Sequence, residues 1–182
     1  MKKLVFVILL VSIASCVYSQ PTLMRKSDDC EIAAISTATG KSYEEVAKKL
    51  NKQALPFGLS DPIWSNPDSL YLLVSKLGYW KRNVTLSMLK LRQATPGKTI
   101  ILVHNPQRPT LSQHWVCLES YRGEGGYNVW WGIAKYAGHN PMNPAFVSET
   151  EMESLYRKGS PNCAFEIVND TAWSRFKRWL GC

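Results

Sequence analysis

The sequence predicts an α+β fold, with a helical N-terminal half packed on a mainly antiparallel β-sheet formed by the C-terminal half. Three observations carry this. Capped, helix-period segments crowd the stretch before Gly78; β-branched and aromatic runs alternate with turn residues after it; and Gly123 to Gly126 form a glycine-rich turn between two such runs.

In chain order, Asp28 and Asp29 precede a short helix from Cys30 to Thr39, which Gly40 can end in the left-handed conformation. Ser42 with Glu45 makes a capping box for a second helix, Tyr43 to Leu50, and Asn66-Pro67 opens a third that stops at Gly78. Tyr79 to Thr85 reads as a strand, Leu86 to Gln93 as a short helix, and Thr99 to His104 as a buried strand entered through the turn Pro96-Gly97. Gln113 to Glu119 and Gly126 to Gly132 then pair as a hairpin. Ala134 to Pro144 reads as loop, Ser148 and Glu151 cap a helix to Lys158, and Cys163 to Val168 is another strand. The last helix, Asp170 to Leu180, is amphipathic. Trp173, Phe176, Trp179 and Leu180 lie on one side and Arg175, Lys177 and Arg178 largely on the other, and the apolar side is expected to dock on its own domain.

The N-terminus carries a different signal. Lys2 and Lys3, an apolar run from Leu4 to Ala14 and a small polar end at Ser15, Cys16 and Ser19 have the three-part layout of a secretory signal, and the run is too short to span a bilayer. Two exits can be drawn: cleavage after residue 19, or cleavage after residue 15 with lipidation of Cys16, since the segment Ile13 to Cys16 resembles a bacterial lipobox. The expected product is exported: secreted, periplasmic or held at the cell surface. Residues 20–182 then form one domain of about 160 residues. Loss of Lys2 and Lys3 lowers the formal charge from +8 to +6, a surplus that suits an anionic surface; no clustered basic motif points to a specific nucleic acid. Four cysteines remain besides Cys16, enough for two disulfides. The other allocation pairs Cys163 with Cys182, buries Cys117 in a strand and leaves Cys30 a free thiol.

Cys30 falls at a helix N-terminus, where the helix dipole favours a thiolate, while Asp28 and Asp29 oppose it; activation therefore needs a histidine partner. Of the three histidines, His104 ends a buried strand and His139 sits among turn residues. His114 begins a strand, where an imidazole can meet a facing helix end. Asn128, on the next strand across the hairpin, is the candidate to orient that imidazole. No metal or cofactor is called for.

The stretch from Ser27 to Val46, SDDCEIAAISTATGKSYEEV, resembles the nucleophile helix of papain-like cysteine peptidases, especially the compact bacterial and phage relatives of the bacteriocin leader peptidases. Their pattern is an Asn/Asp-Asp-Cys start, an Ala-rich helix ending Ala-Thr-Gly, and then Tyr-Glu-Glu-Val. Downstream order agrees over about 100 residues in all: Thr85-Leu86, Pro96-Gly97, the strand Ile100 to Val103, His114-Trp115-Val116, the glycine hairpin and Tyr127-Asn128-Val129-Trp130. The resemblance implies a papain-like fold with Cys30 as nucleophile, His114 as general base and then acid, and Asn128 orienting the imidazole. Two positions depart from the pattern. Asn128 stands where relatives often carry Asp, and Asp28 stands where an amide commonly helps form the oxyanion hole, with Gln20 as a substitute amide.

The expected protein is an exported thiol hydrolase acting on a peptide or amide bond, with a peptide or cell-wall peptide as substrate. The alternative is a catalytically idle secreted or surface-bound binding protein on the same scaffold, a reading with which Asp28 and the seven tryptophans are compatible.

Overall fold

The computed structural model describes residues 21–25, 29–54, 70, 74–105, 113–123, 125–159 and 163–179. The expected signal, Cys16, Gln20, Asp28 and Cys182 lie outside the described residues. So does most of the third expected helix, of which Leu70 and residues 74–76 are helical.

Helix α1, Cys30–Thr39, ends at Gly40, whose φ of 72° lets its N–H reach the Ser36 carbonyl at 2.9 Å. Helix α2, Tyr43–Ala54, starts where the Ser42 hydroxyl accepts the Glu45 N–H at 3.1 Å, and it runs four residues past the expected end at Leu50. Strand β1 stops at Asn83 because Thr85 is already engaged as the N-cap of helix α3, Leu86–Lys90, its hydroxyl accepting the Met88 N–H at 3.2 Å. Helix α3 is shorter than expected. Arg92 enters the left-handed region at φ 57°, and the Gln93 N–H closes back on the Met88 carbonyl at 2.8 Å.

The strands are β1 (Tyr79–Asn83), β2 (Thr99–His104), β3 (Gln113–Arg122), β4 (Gly126–Trp130), β5 (Ala145–Ser148) and β6 (Ala164–Asn169), with helix α4 (Glu149–Gly159) before β6 and helix α5 (Ala172–Trp179) after it. They form one six-stranded sheet in the order β1-β6-β2-β3-β4-β5, antiparallel at every pairing. Strand β5 was not expected. It packs the Phe146 ring so closely over Gly126 that a Cβ there would lie 2.3 Å from a ring carbon.

Central strand β2 feeds both faces of the sheet because its side chains alternate. Ile100 and Leu102 pack with Trp115, Cys117, Phe165 and Ile167 against Ala34, Ile35 and Ala38 of α1 and Val46 of α2. Ile101 and Val103 pack with Val116, Leu118, Tyr127 and Val129 against Met152, Leu155 and Tyr156 of α4. Helices thus cover both faces, and small residues on α1 bring its N-terminus close to β3. Cys30 and Cys117 are free thiols, which excludes the allocation of all four mature cysteines to two disulfides. On the expected docking side of α5, Phe176 is 45% and Trp179 79% exposed, while Leu180 lies outside the described residues. Among the described residues no helix is long and apolar enough to cross a membrane.

Candidate active site

Cys30 is the first residue of α1. Before it, Asp29 occupies the N-cap position without a side-chain cap; its carboxylate instead accepts the Arg25 N–H at 3.0 Å and the Tyr43 hydroxyl. The Arg25 guanidinium lies 4.3 Å from the Tyr43 ring centre, so α2 and the segment before α1 together hold Asp29 buried. The same segment before α1 is tied at two more points. The Met24 N–H bonds the Gly132 carbonyl at 2.9 Å, and the Thr22 N–H bonds the Thr37 hydroxyl of α1 at 2.9 Å. Gly132 has φ 73°, so the chain leaving β4 turns past α1 without a side chain in the way.

The sulfur has two kinds of neighbour. Its thiol donates toward the Glu31 carboxylate at 3.5 Å, and Glu31 is 2% exposed. In the other sense, the backbone N–H groups of Trp115 and Glu31 point at the sulfur and favour a negative charge on it. The first kind wins. Burial, followed by the Glu31 charge, raises the thiol pKa from 9.0 to about 12. The acidic residue bearing on the nucleophile is therefore Glu31; the expected opposition from the preceding aspartates is, at Asp29, directed into Arg25 and Tyr43.

Trp115 places this sulfur one residue along β3 from His114. The His114 side chain is buried, its Nε2 lies 2.6 Å from the Trp131 carbonyl oxygen, and its ring stands 5.5 Å from the Trp131 ring. A carbonyl only accepts, so Nε2 carries the proton, and in the neutral ring Nδ1 is the basic nitrogen. Trp131, 3% exposed, thus fixes the tautomer through its backbone.

Asn128 is not part of this arrangement. It pairs across the hairpin with Ser120, its Nδ2 donating to the Ser120 hydroxyl at 3.0 Å. Ser120 is six residues along β3 from His114, about 20 Å at strand rise. Asn128, expected to orient the imidazole, bonds Ser120, and the group that meets His114 Nε2 is the Trp131 carbonyl. That group lacks a residue-type signature, which is why sequence reasoning missed it. His104 ends β2, and His139 lies in the loop after β4, where its Nδ1 accepts the Lys135 N–H at 3.1 Å and its ring packs on Tyr136. Among the described residues no group of His, Cys, Asp and Glu could hold a metal ion.

The site thus sets a helix-terminal thiol by the N–H of Trp115, the residue after a strand histidine of fixed tautomer. Solved structures of similar fold are peptidase domains. The peptidase domain of Streptococcus ComA, a bifunctional ABC transporter involved in a quorum-sensing pathway, superposes with a TM-score of 0.57 at 12% identity, over 83% of this chain and 98% of that one. A double-glycine-motif protease from an AMS/PCAT transporter, in complex with its leader peptide, gives 0.54 at 12% over 85% and 96%. The peptidase domain of Streptococcus mutans ComA gives 0.52 at 12% over 82% and 98%. No protein-family model and no curated protein matches the chain. The α+β, papain-like architecture expected from the Cys30 helix is borne out by these neighbours.

Proposed function

We propose that this chain is an exported thiol hydrolase that cleaves a peptide or amide bond, with Cys30 as nucleophile and His114 as base. The observation that supports it most is the placement of the Cys30 sulfur on the N–H of Trp115, next to a histidine whose Nε2 proton is tied to the Trp131 carbonyl. In this reading His114 Nδ1 takes the S–H proton as sulfur attacks the substrate carbonyl carbon. The Cys30 backbone N–H, at the start of α1, supports the developing oxyanion. The C–N bond then breaks as the imidazolium returns its proton to the departing amine, and water, deprotonated by the same nitrogen, releases the acyl group from sulfur. Substrates of this class are peptides, as for the leader-bound protease of similar fold; a cell-wall peptide fits an exported, basic protein, whether soluble or held through a lipidated Cys16.

One observation favours a second reading. Burial, with the Glu31 carboxylate on the sulfur, keeps the thiol neutral, which suits a binding protein with an idle Cys30. Mass spectrometry after treatment with a peptidyl acyloxymethyl ketone separates the two, because this probe alkylates a cysteine only when a catalytic base assists. Labelling of Cys30 that disappears in His114→Ala supports the hydrolase. No labelling of Cys30, or equal labelling in His114→Ala, would overturn it in favour of the binder.

A further inference from the structure

We infer that helix α5 is a docking surface for an anionic phospholipid bilayer, independently of the reaction proposed at Cys30. Ala172, Phe176 and Trp179 recur at the three- and four-residue spacing of one helix face, Arg175 lies at its border, and all four are exposed. The Phe176 and Trp179 rings stack, with centroids 6.1 Å apart and planes inclined by 28°, forming a single aromatic knob at the C-terminal end of the helix. Leaving a ring as exposed as that of Trp179 in water is unfavourable; at 79% it is the most exposed of the large hydrophobic side chains described.

The chemistry of the surroundings selects the occupant. Residues 172–179 include Arg175, Lys177 and Arg178 and no acidic residue, in a chain of formal charge +8. Asp170, just before the helix, lies 3.4 Å from Arg175 and offsets part of that charge, yet the Arg175 side chain remains 66% exposed beside the knob. Aromatic rings next to cations match the two layers of an anionic membrane surface: rings enter the headgroup–acyl boundary, where Trp is favoured, and cations meet lipid phosphates. A protein partner fits less well. Two aromatic side chains offer on the order of 300–500 Å², below the roughly 800 Å² per partner of a stable interface.

The test uses the purified full chain and its Trp179→Phe variant, whose emission difference isolates Trp179 from the other tryptophans. Vesicles of phosphatidylcholine alone are compared with vesicles containing a quarter phosphatidylglycerol. With the anionic vesicles the Trp179 emission is expected to shift to the blue and to be quenched by lipids brominated on the acyl chain; added salt should weaken both effects. Cosedimentation is expected to fall about tenfold in the double variant Phe176→Ser, Trp179→Ser, whose fold is verified by circular dichroism. An unchanged Trp179 spectrum with anionic vesicles would overturn the inference. So would equal cosedimentation of the double variant, or a protein dimer that depends on Phe176 and Trp179 in the absence of vesicle binding.

Discussion

The two halves of the candidate site are built in opposite ways. Around Cys30 the neighbours are acidic and buried: Glu31 touches the sulfur, and Asp29 is held by Arg25 and Tyr43 one residue before it. At His114, Trp131 packs on the ring and its backbone carbonyl meets Nε2. The first environment, burial first and the Glu31 charge second, holds a proton on the sulfur, while the second fixes the imidazole proton on Nε2. Under the proposed function this difference gives the work of activation to the base: the thiolate is made when the proton crosses to His114 rather than stored in the resting protein.

The largest expected effect comes from breaking the histidine side. His114→Ala should lower hydrolysis of a susceptible peptide about 10²- to 10⁴-fold, with the far-ultraviolet circular dichroism unchanged; a loss under tenfold would assign the base elsewhere. Breaking the sulfur side has the opposite sign. Glu31→Gln removes a negative charge beside Cys30, so the thiol should become more acidic and its alkylation rate at pH 8 should rise about tenfold. A rate equal to that of the unsubstituted chain would mean that burial alone keeps the thiol neutral.

A third prediction concerns stability. The buried Cys30 and Cys117 thiols both sit near 12 rather than 9.0, so below pH 9 both states are protonated and the contribution is fully present. As the pH rises from 9 to 12 the unfolded chain loses protons that the folded one keeps, and stability falls. Each thiol contributes about 1.4 kcal/mol per pH unit in that window. Tyr121 and Tyr127, both raised by burial, act in the same sense. Urea midpoints measured across pH 8.5–11 should show this slope, shallower in Cys117→Ala; an unchanged slope would remove Cys117 from the account. The smallest effect belongs to Asn128→Ala. It loses a half-exposed hydrogen bond to Ser120 worth about 1 kcal/mol, and activity should stay within about twofold.

How much of this was legible in the sequence differs from one element to the next. Helix α1 and strand β2 were readable to the residue, because Gly40 marks a left-handed end and the run Ile100–Val103 is buried on both sides. Strand β5 escaped because three apolar residues between a proline-rich loop and a helix cap carry too little periodicity. Cys30 and His114 are candidates by residue type and element ends, and the structure sets both at such ends. The Trp131 contact is a backbone carbonyl and has no residue-type signature, while the expectation for Asn128 rests on hairpin partnership without its register. That register, with its irregularity between Leu118 and Ser120, sets Asn128 six strand positions from the histidine. Glu31 was passed over because an acid in the first turn of a helix ordinarily faces water and favours the dipole. Here the small residues of α1 pull the helix onto β3 and bury it.

The most direct measurement is the rate of Cys30 alkylation by iodoacetamide between pH 5 and pH 10, followed by mass spectrometry of the intact chain and its Cys30 peptide. A resting neutral thiol predicts a rate that climbs about tenfold per pH unit with no plateau below pH 10. A plateau already reached near pH 6 would show a thiolate stored in the free protein and contradict the division of labour between Cys30 and His114.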